Sequence, residues 1–278
     1  LPSPGDGLLH FSLAGVALKF SLLQEGDRLT LPAGDRDGDW IVKMPDAVYP
    51  EVPANEFAMM TLAGLCGIDV PEIRLWHRDD LPELPDAAWP EGQEWAYAVR
   101  RFDRDGNRRI HVEDLAQVRN FYPEDKYRGS FETAAALIHR RWDEKSYLEF
   151  VRRLFFSFAI GNGDMHLKNI SLIYRDPRRP VISPAYDLVS TAPYLNDPED
   201  LGLKLGRSRR FKEVSPESFA LLAHRVGAPV GETMEAVARV AGNLEGAWAQ
   251  TAQLLAPLPR HRGWLDQRIP EVARRFSG

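Results

Sequence analysis

Apolar residues follow two rhythms along this chain. Over the first hundred residues they form short runs broken by Gly, Pro and acidic turns; beyond Phe102 they recur at helical spacing. Residues 10–23 (HFSLAGVALKFSLL) carry two apolar runs around Ala14 and Gly15, which predicts a strand–turn–strand hairpin. Residues 34–39 (GDRDGD) predict a turn, and 40–44 (WIVKM) the strand after it. Residues 53–67 predict a helix whose apolar face carries Phe57, Met60, Thr61 and Gly64, with Gly67 at its end. Two further strands are expected at 69–76 and 94–102, separated by a Pro-rich acidic loop.

The second half reads as mainly helical. Helices are expected at 111–121 and 130–142, and most strongly at 143–162, where Leu148, Val151, Phe155 and Phe158 share one stripe. Gly161 and Gly163 stop that helix. Residues 169–174 and 180–188 then read as a hairpin around RDPRR, and Ser215-Pro216 opens a helical C-terminal stretch. The expected architecture is α+β and two-lobed: a small β-rich nucleotide-binding lobe over 1–102, a hinge near 100–103, and a larger helical catalytic lobe over 103–278.

A length of 278 residues suits one large domain or two lobes. The net charge of −5 argues against a protein built to coat nucleic acid. Cys66 is the single cysteine, so no internal disulfide forms and a reducing, cytoplasmic setting is the simpler expectation. The longest apolar run, near 154–160, is too short to span a bilayer. The N-terminus lacks a signal-peptide pattern, and it begins at Leu1 rather than Met, which leaves room for residues upstream.

The chemistry concentrates in GNGDMHLKN, residues 161–169. Asp164 and Asn169 stand as D-x-x-x-x-N, the spacing with which protein kinases set a catalytic base and a magnesium-binding amide on one loop. Asp187, just past the expected hairpin, supplies the second oxygen ligand. Lys43 in WIVK suits the strand lysine that reaches the ATP phosphates, and Glu56 on the following helix suits its ion-pair partner. The turn at Ala14 and Gly15, with Lys19 following, is a candidate phosphate cover, although it is not G-x-G-x-x-G. Taken singly, each residue has a plainer explanation. Lys43 is a solvated strand lysine, Glu56 offsets a helix dipole, His166 braces the loop, and the basic run from Lys204 to Lys212 is a wet face. Their order along the chain is what argues against chance.

Those segments, together with VRRFDR, EDLAQV, SPAYDLVST and LGLKLG, resemble the HipA-like serine/threonine kinase family, toxins of bacterial toxin–antitoxin modules. The resemblance runs in order through nearly the whole chain. It implies a kinase-like fold distantly similar to phosphatidylinositol 3/4-kinases. It also implies Asp164 as base, Lys168 as an aid to charge neutralisation, and Asn169 and Asp187 as Mg2+ ligands. The nucleotide would be held by Lys43, His166, the turn residues Ala14, Gly15 and Lys19, and the hinge backbone around Arg100 and Phe102. Ser12 matches the family's autophosphorylated serine, where a phosphate would oppose nucleotide binding. Ala17 departs from the usual glutamine, and Arg100 from a frequent hinge glutamate.

The chain resembles the short HipT-type kinases or a truncated long form. It is expected to use ATP and Mg2+ on a protein target of the aminoacyl-tRNA synthetase class. The implied partners are a HipB-like helix-turn-helix antitoxin that brings in operator DNA indirectly, and a small HipS-like subdomain protein; no membrane is implied. A lipid or small-molecule kinase and a catalytically silent antitoxin-binding module are the alternatives.

Overall fold

The computed structural model describes residues 18–32, 38–106, 108–195 and 200–277. Ser12, Ala14, Gly15 and Ala17 lie outside the described residues, as does much of the turn expected at 34–39. Five strands form one antiparallel sheet: β1 (Lys19–Glu25), β2 (Arg28–Thr30), β3 (Trp40–Lys43), β4 (Ile73–His77) and β5 (Trp95–Arg100), in the order β2-β1-β3-β5-β4. Side chains alternate across a strand, so each face has its own set. Trp40, Val42, Ala96 and Ala98 join Leu22, Leu29 and Met44 in a small core on one face. Lys43 pairs in register with Lys19 on one side and Tyr97 on the other, which puts all three on the opposite face.

Helix α1 (Val52–Leu65) crosses that second face. The expected face of Phe57, Met60, Thr61 and Gly64 needs correcting. Asn55, Glu56, Ala58, Met59, Met60, Leu62 and Ala63 are all buried, while Phe57 and Thr61 are half-buried and Gly64 is exposed. The helix has no single apolar stripe because it is covered from two sides, by the sheet and by the helical body. Gly67, at φ 83°, ends it as expected.

A small hairpin of β6 (Arg104–Asp105) and β7 (Arg108–Arg109) follows the hinge, and then β8 (Val112–Asp114) pairs antiparallel with β9 (Ser171–Ile173), which also pairs with β10 (Val181–Ile182). The hairpin after the catalytic loop is therefore present, with a third strand added. That strand shortens the helix expected at 111–121 to α2 (Leu115–Val118), because Asp114 leaves the sheet to cap it, its carboxylate accepting from Gln117 N at 2.8 Å. Helices α3 (Phe131–Ile138), α4 (Glu144–Ala159), α5 (Pro216–Val226), α6 (Val230–Thr251) and α7 (Pro259–Phe276) complete the body, with a second hairpin, β11 (Asp200–Leu205) and β12 (Ser208–Arg210), before α5. Phe155 of α4 packs against Phe158, Phe219 and Phe276 with ring centroids 5.0–6.1 Å away. Arg268 of α7 donates to the carbonyls of Phe158 at 2.6 Å and Ala159 at 2.9 Å, closing the C-terminal end of α4.

Two buried hydrogen bonds tie α1 to the segment that follows Asp187. Asn55 Nδ2 donates to Ser190 O at 2.9 Å, and Ser190 N donates to Asn55 Oδ1 at 3.0 Å. Asn55→Ala leaves both Ser190 backbone groups buried and unpaired. It should cost about 1–3 kcal/mol in a urea unfolding titration; an unchanged midpoint would show that water replaces the amide.

Candidate active site

Lys43 is the meeting point of three elements. Its ammonium donates to Glu56 Oε1 of α1 at 2.6 Å and to Asp187 Oδ1 beyond β10, and it lies 5.5 Å from the centroid of the Tyr97 ring. Burial works against the charge on Lys43, but the Asp187 and Glu56 carboxylates outweigh it and hold the pKa well above the ordinary value. Burial pushes the Glu56 carboxyl up against the pull of Lys43. At Asp187 the desolvation is overcome by Lys43, with Lys19 adding to it, and the carboxyl sits below its usual range. Asp187 adopts φ 55°, uncommon for a residue with a Cβ.

The loop at residues 161–169 is set by close backbone approaches. Gly161 (φ 66°) has the Trp264 ring 2.3 Å from where a Cβ would stand, and Gly163 has Asp200 O at 2.7 Å from the same point. Thr191 Oγ1 accepts from Gly163 N at 2.8 Å and donates to Gly161 O at 3.2 Å. Asn162 Oδ1 accepts from Asp164 N at 2.9 Å. Asp164 is buried to 4% exposure, and its Oδ1 accepts from Tyr127 Oη at 2.5 Å. Asn169 Nδ2 donates to the Asp164 carbonyl at 2.9 Å. That commits the amide's donor end, and its oxygen is the atom a hard cation would take. Asn169 and Asp187 line one small cavity together with Asn162 and Arg153.

The structure gathers most of the expected residues. Lys19, Lys43, Glu56, Asp164 and Asp187 line a single cleft. A neighbouring cavity of about 270 Å³ runs from Lys43 and Asp187 to the end of β5, with Ile41, Val99, Phe102, Val112 and Tyr186 as apolar walls. Phe102 and Tyr186 face each other there at 5.9 Å. Lys168 is exposed on the loop.

Two placements differ from expectation. The Arg100 N–H is already donated to Glu72 O at 2.8 Å, so it is not a free hinge donor; its guanidinium points away to Glu72 Oε2 at 3.1 Å. His166 is fully buried beneath Asp164, with Nε2 3.7 Å from Asp164 Oδ1 and its ring edge-on to Tyr127 at 5.1 Å, closed off from a nucleotide. Burial, helped by Lys126, lowers its pKa to about 3, so the ring is neutral and the contact with Asp164 is not an ion pair.

Tyr127, Asn162 and Thr191 were not singled out from sequence. Asn162 sits inside the quoted loop and could have been found there; Tyr127 is remote in sequence and carries no spacing signal. Among the described residues no group of three or more His, Cys, Asp or Glu could hold a metal ion. The Asn169–Asp187 pair still fits a magnesium ion, which accepts few protein oxygens when phosphates and waters complete its shell. Among the described residues no helix is long and apolar enough to cross a membrane.

The family described as HipA-like C-terminal domain matches residues 11–248. A relative named "Putative kinase Y4dM" from Sinorhizobium fredii (strain NBRC 101917 / NGR234) is 39% identical over 276 residues, covering 97% of this chain and 67% of its own length. The HipA structure of Shewanella oneidensis MR-1, solved with HipB and operator DNA, aligns with a TM-score of 0.79 at 23% identity over 98% of this chain and 66% of that one. The Helicobacter pylori proinflammatory kinase CtkA aligns at 0.60 and 14% identity, covering 99% of this chain and 92% of that one. These neighbours establish the two-lobed kinase-like fold. The chain spans about two thirds of the length of the first relative and of the HipA structure.

Lys43→Met should cost roughly 3–5 kcal/mol at neutral pH, since it leaves the buried Glu56 carboxylate and the half-buried Asp187 carboxylate without their cation. Both carboxyls would then titrate above their unfolded values, so the loss should shrink as pH falls and they take up protons; a pH-independent loss would contradict the network. For His166 the sign is opposite. The unfolded ring binds a proton below about 6.5 while the native ring stays neutral to about 3. The stability it contributes is complete above the first value and drains away on acidification between the two. Histidine ring NMR should show no His166 inflection between pH 6 and 7.

Proposed function

Because the chain belongs to the HipA-like C-terminal domain family, we propose that it is an ATP- and Mg2+-dependent serine/threonine protein kinase that acts as a growth-arresting toxin. The observation that carries this reading is the convergence of Lys43, Glu56, Asp164 and Asp187 on one cleft beside an apolar cavity. Phosphoryl transfer asks the protein mainly for positioning and charge, and these residues supply both.

On this reading the cavity between Phe102 and Tyr186 takes the adenine. Lys43, steadied by Glu56, meets the phosphates, and Lys19 adds positive charge from β1. Asn169 and Asp187 would hold Mg2+, which neutralises charge on the phosphates when bound. Asp164 accepts the proton of the acceptor hydroxyl. His166 supports Asp164 from below without titrating, and Lys168 screens charge at the mouth of the cleft. Residues 1–102 form the nucleotide-binding lobe and 103–278 the catalytic lobe.

The further assignments rest on family likeness. The protein target is of the aminoacyl-tRNA synthetase class, Ser12 is a site of self-phosphorylation, and the setting is cytoplasmic. The HipA structure solved with HipB and operator DNA supports a HipB-like antitoxin as partner, with DNA reached only through it.

Asp164→Ala removes the base without disturbing the Lys43 network. It should lower phosphoryl transfer by at least about a hundredfold while circular dichroism and melting stay native-like. Phosphoproteomics of cells expressing wild type against Asp164→Ala identifies the target. Equal phosphorylation in both would overturn the assignment.

A further inference from the structure

Tyr127 ends the short 3-10 turn Pro123–Tyr127, which joins α2 to α3. Its hydroxyl donates to Asp164 Oδ1 at 2.5 Å, the length of a charge-assisted O–H···O⁻ bond. A general base takes its proton from an acceptor hydroxyl over a contact of about this kind. A phenol of the chain itself therefore occupies the place that a substrate hydroxyl must reach. Arg209 of β12 donates to the Tyr127 carbonyl at 3.0 Å and ties the turn to the second hairpin. The Lys126 ammonium lies 5.0 Å from the centroid of the Tyr127 ring, and the His166 ring meets it edge-on at 5.1 Å. The tyrosine is only half-buried, and Glu124 and Arg128 around it are exposed, so it approaches Asp164 from the surface rather than from the core.

We infer that Tyr127 is an internal acceptor: without a protein substrate, the chain transfers a phosphoryl group from ATP to its own Tyr127. This rests on the kinase reading above. In the step the bond between Tyr127 Oη and the γ-phosphorus forms and the bond from that phosphorus to the β–γ bridging oxygen breaks. ADP leaves with the electron pair, and the phenolic proton passes to Asp164. The product carries nearly two negative charges beside the Asp164 carboxylate. It is repelled from the base, and the Lys126 ammonium, 5.0 Å from the ring centroid, is at hand to compensate it. Until it is removed, the charge it adds near the base opposes the approach of a further acceptor, so the activity limits itself.

The full chain is incubated with Mg2+ and ATP at two protein concentrations tenfold apart, and phosphate is mapped by mass spectrometry. Phosphate on Tyr127, gained at the same first-order rate at both concentrations and absent in Asp164→Ala, is the expected result. Phosphate on Ser12 with Tyr127 unmodified overturns the inference and leaves the kinase reading standing, as does a Tyr127 rate that rises tenfold with concentration. No phosphate on the chain and no ADP released overturns both.

Discussion

One ammonium shared by a buried carboxylate and a half-buried one holds the cleft together. Lys43 lies 13 residues from Glu56 and 144 from Asp187, so the pairing joins a sheet strand, a helix and the segment after a distant hairpin. Glu56 is fully buried and Lys43 and Asp187 are mostly so, and each charge alone would be costly there. Each is therefore a condition for the others. The arrangement also sets their ionisation: Lys43 stays charged despite burial because both carboxylates face it, and Asp187 stays ionised because Lys43 does. The chemistry of the cleft and the joining of its two sides are thus one interaction seen from two directions.

Around that node the geometry is fixed by neutral contacts. Asn55 makes α1 and the Ser190 backbone act as one piece. Gly161 and Gly163 let the loop after α4 press against Trp264 and the Asp200 carbonyl, and Gly202 does the same from the other side, where a Cβ would stand 2.3 Å from the Met165 carbonyl. A loop clamped this closely has little freedom to rearrange, so Asp164 and Asn169 are held in one arrangement.

Much of this was legible in the sequence, for physical reasons. Short apolar runs bounded by turns located β3 and β5, and the register of β3 with its neighbours then puts Lys43 on the cleft side. The helical stripe of α4 and its glycine stop located the loop, and the turn RDPRR returned the chain so that Asp187 falls beside Asn169. What sequence could not give were features made by tertiary contact. The buried face of α1 was misread because a helix covered on both sides shows no stripe. Residues 112–114 became a strand because β9 offered them a partner. The tie from Tyr127 to Asp164 joins residues 37 apart through no periodic pattern. The depth of His166 depends on what packs over it, which its place in the motif does not state.

The guanidinium of Arg268 reaches beyond local packing. It satisfies two carbonyls at the end of α4 and lies 4.9–5.2 Å from the rings of Phe158, Phe211 and Trp264. Arg268 and Trp264 belong to α7, which begins only after the segment matched to the family has ended. A boundary drawn at the end of that match would cut away the cation and the indole that pack against the start of the loop, although likeness to the 39% identical relative runs through 97% of the chain. The stretch a family model delimits is shorter than the body whose packing closes around it.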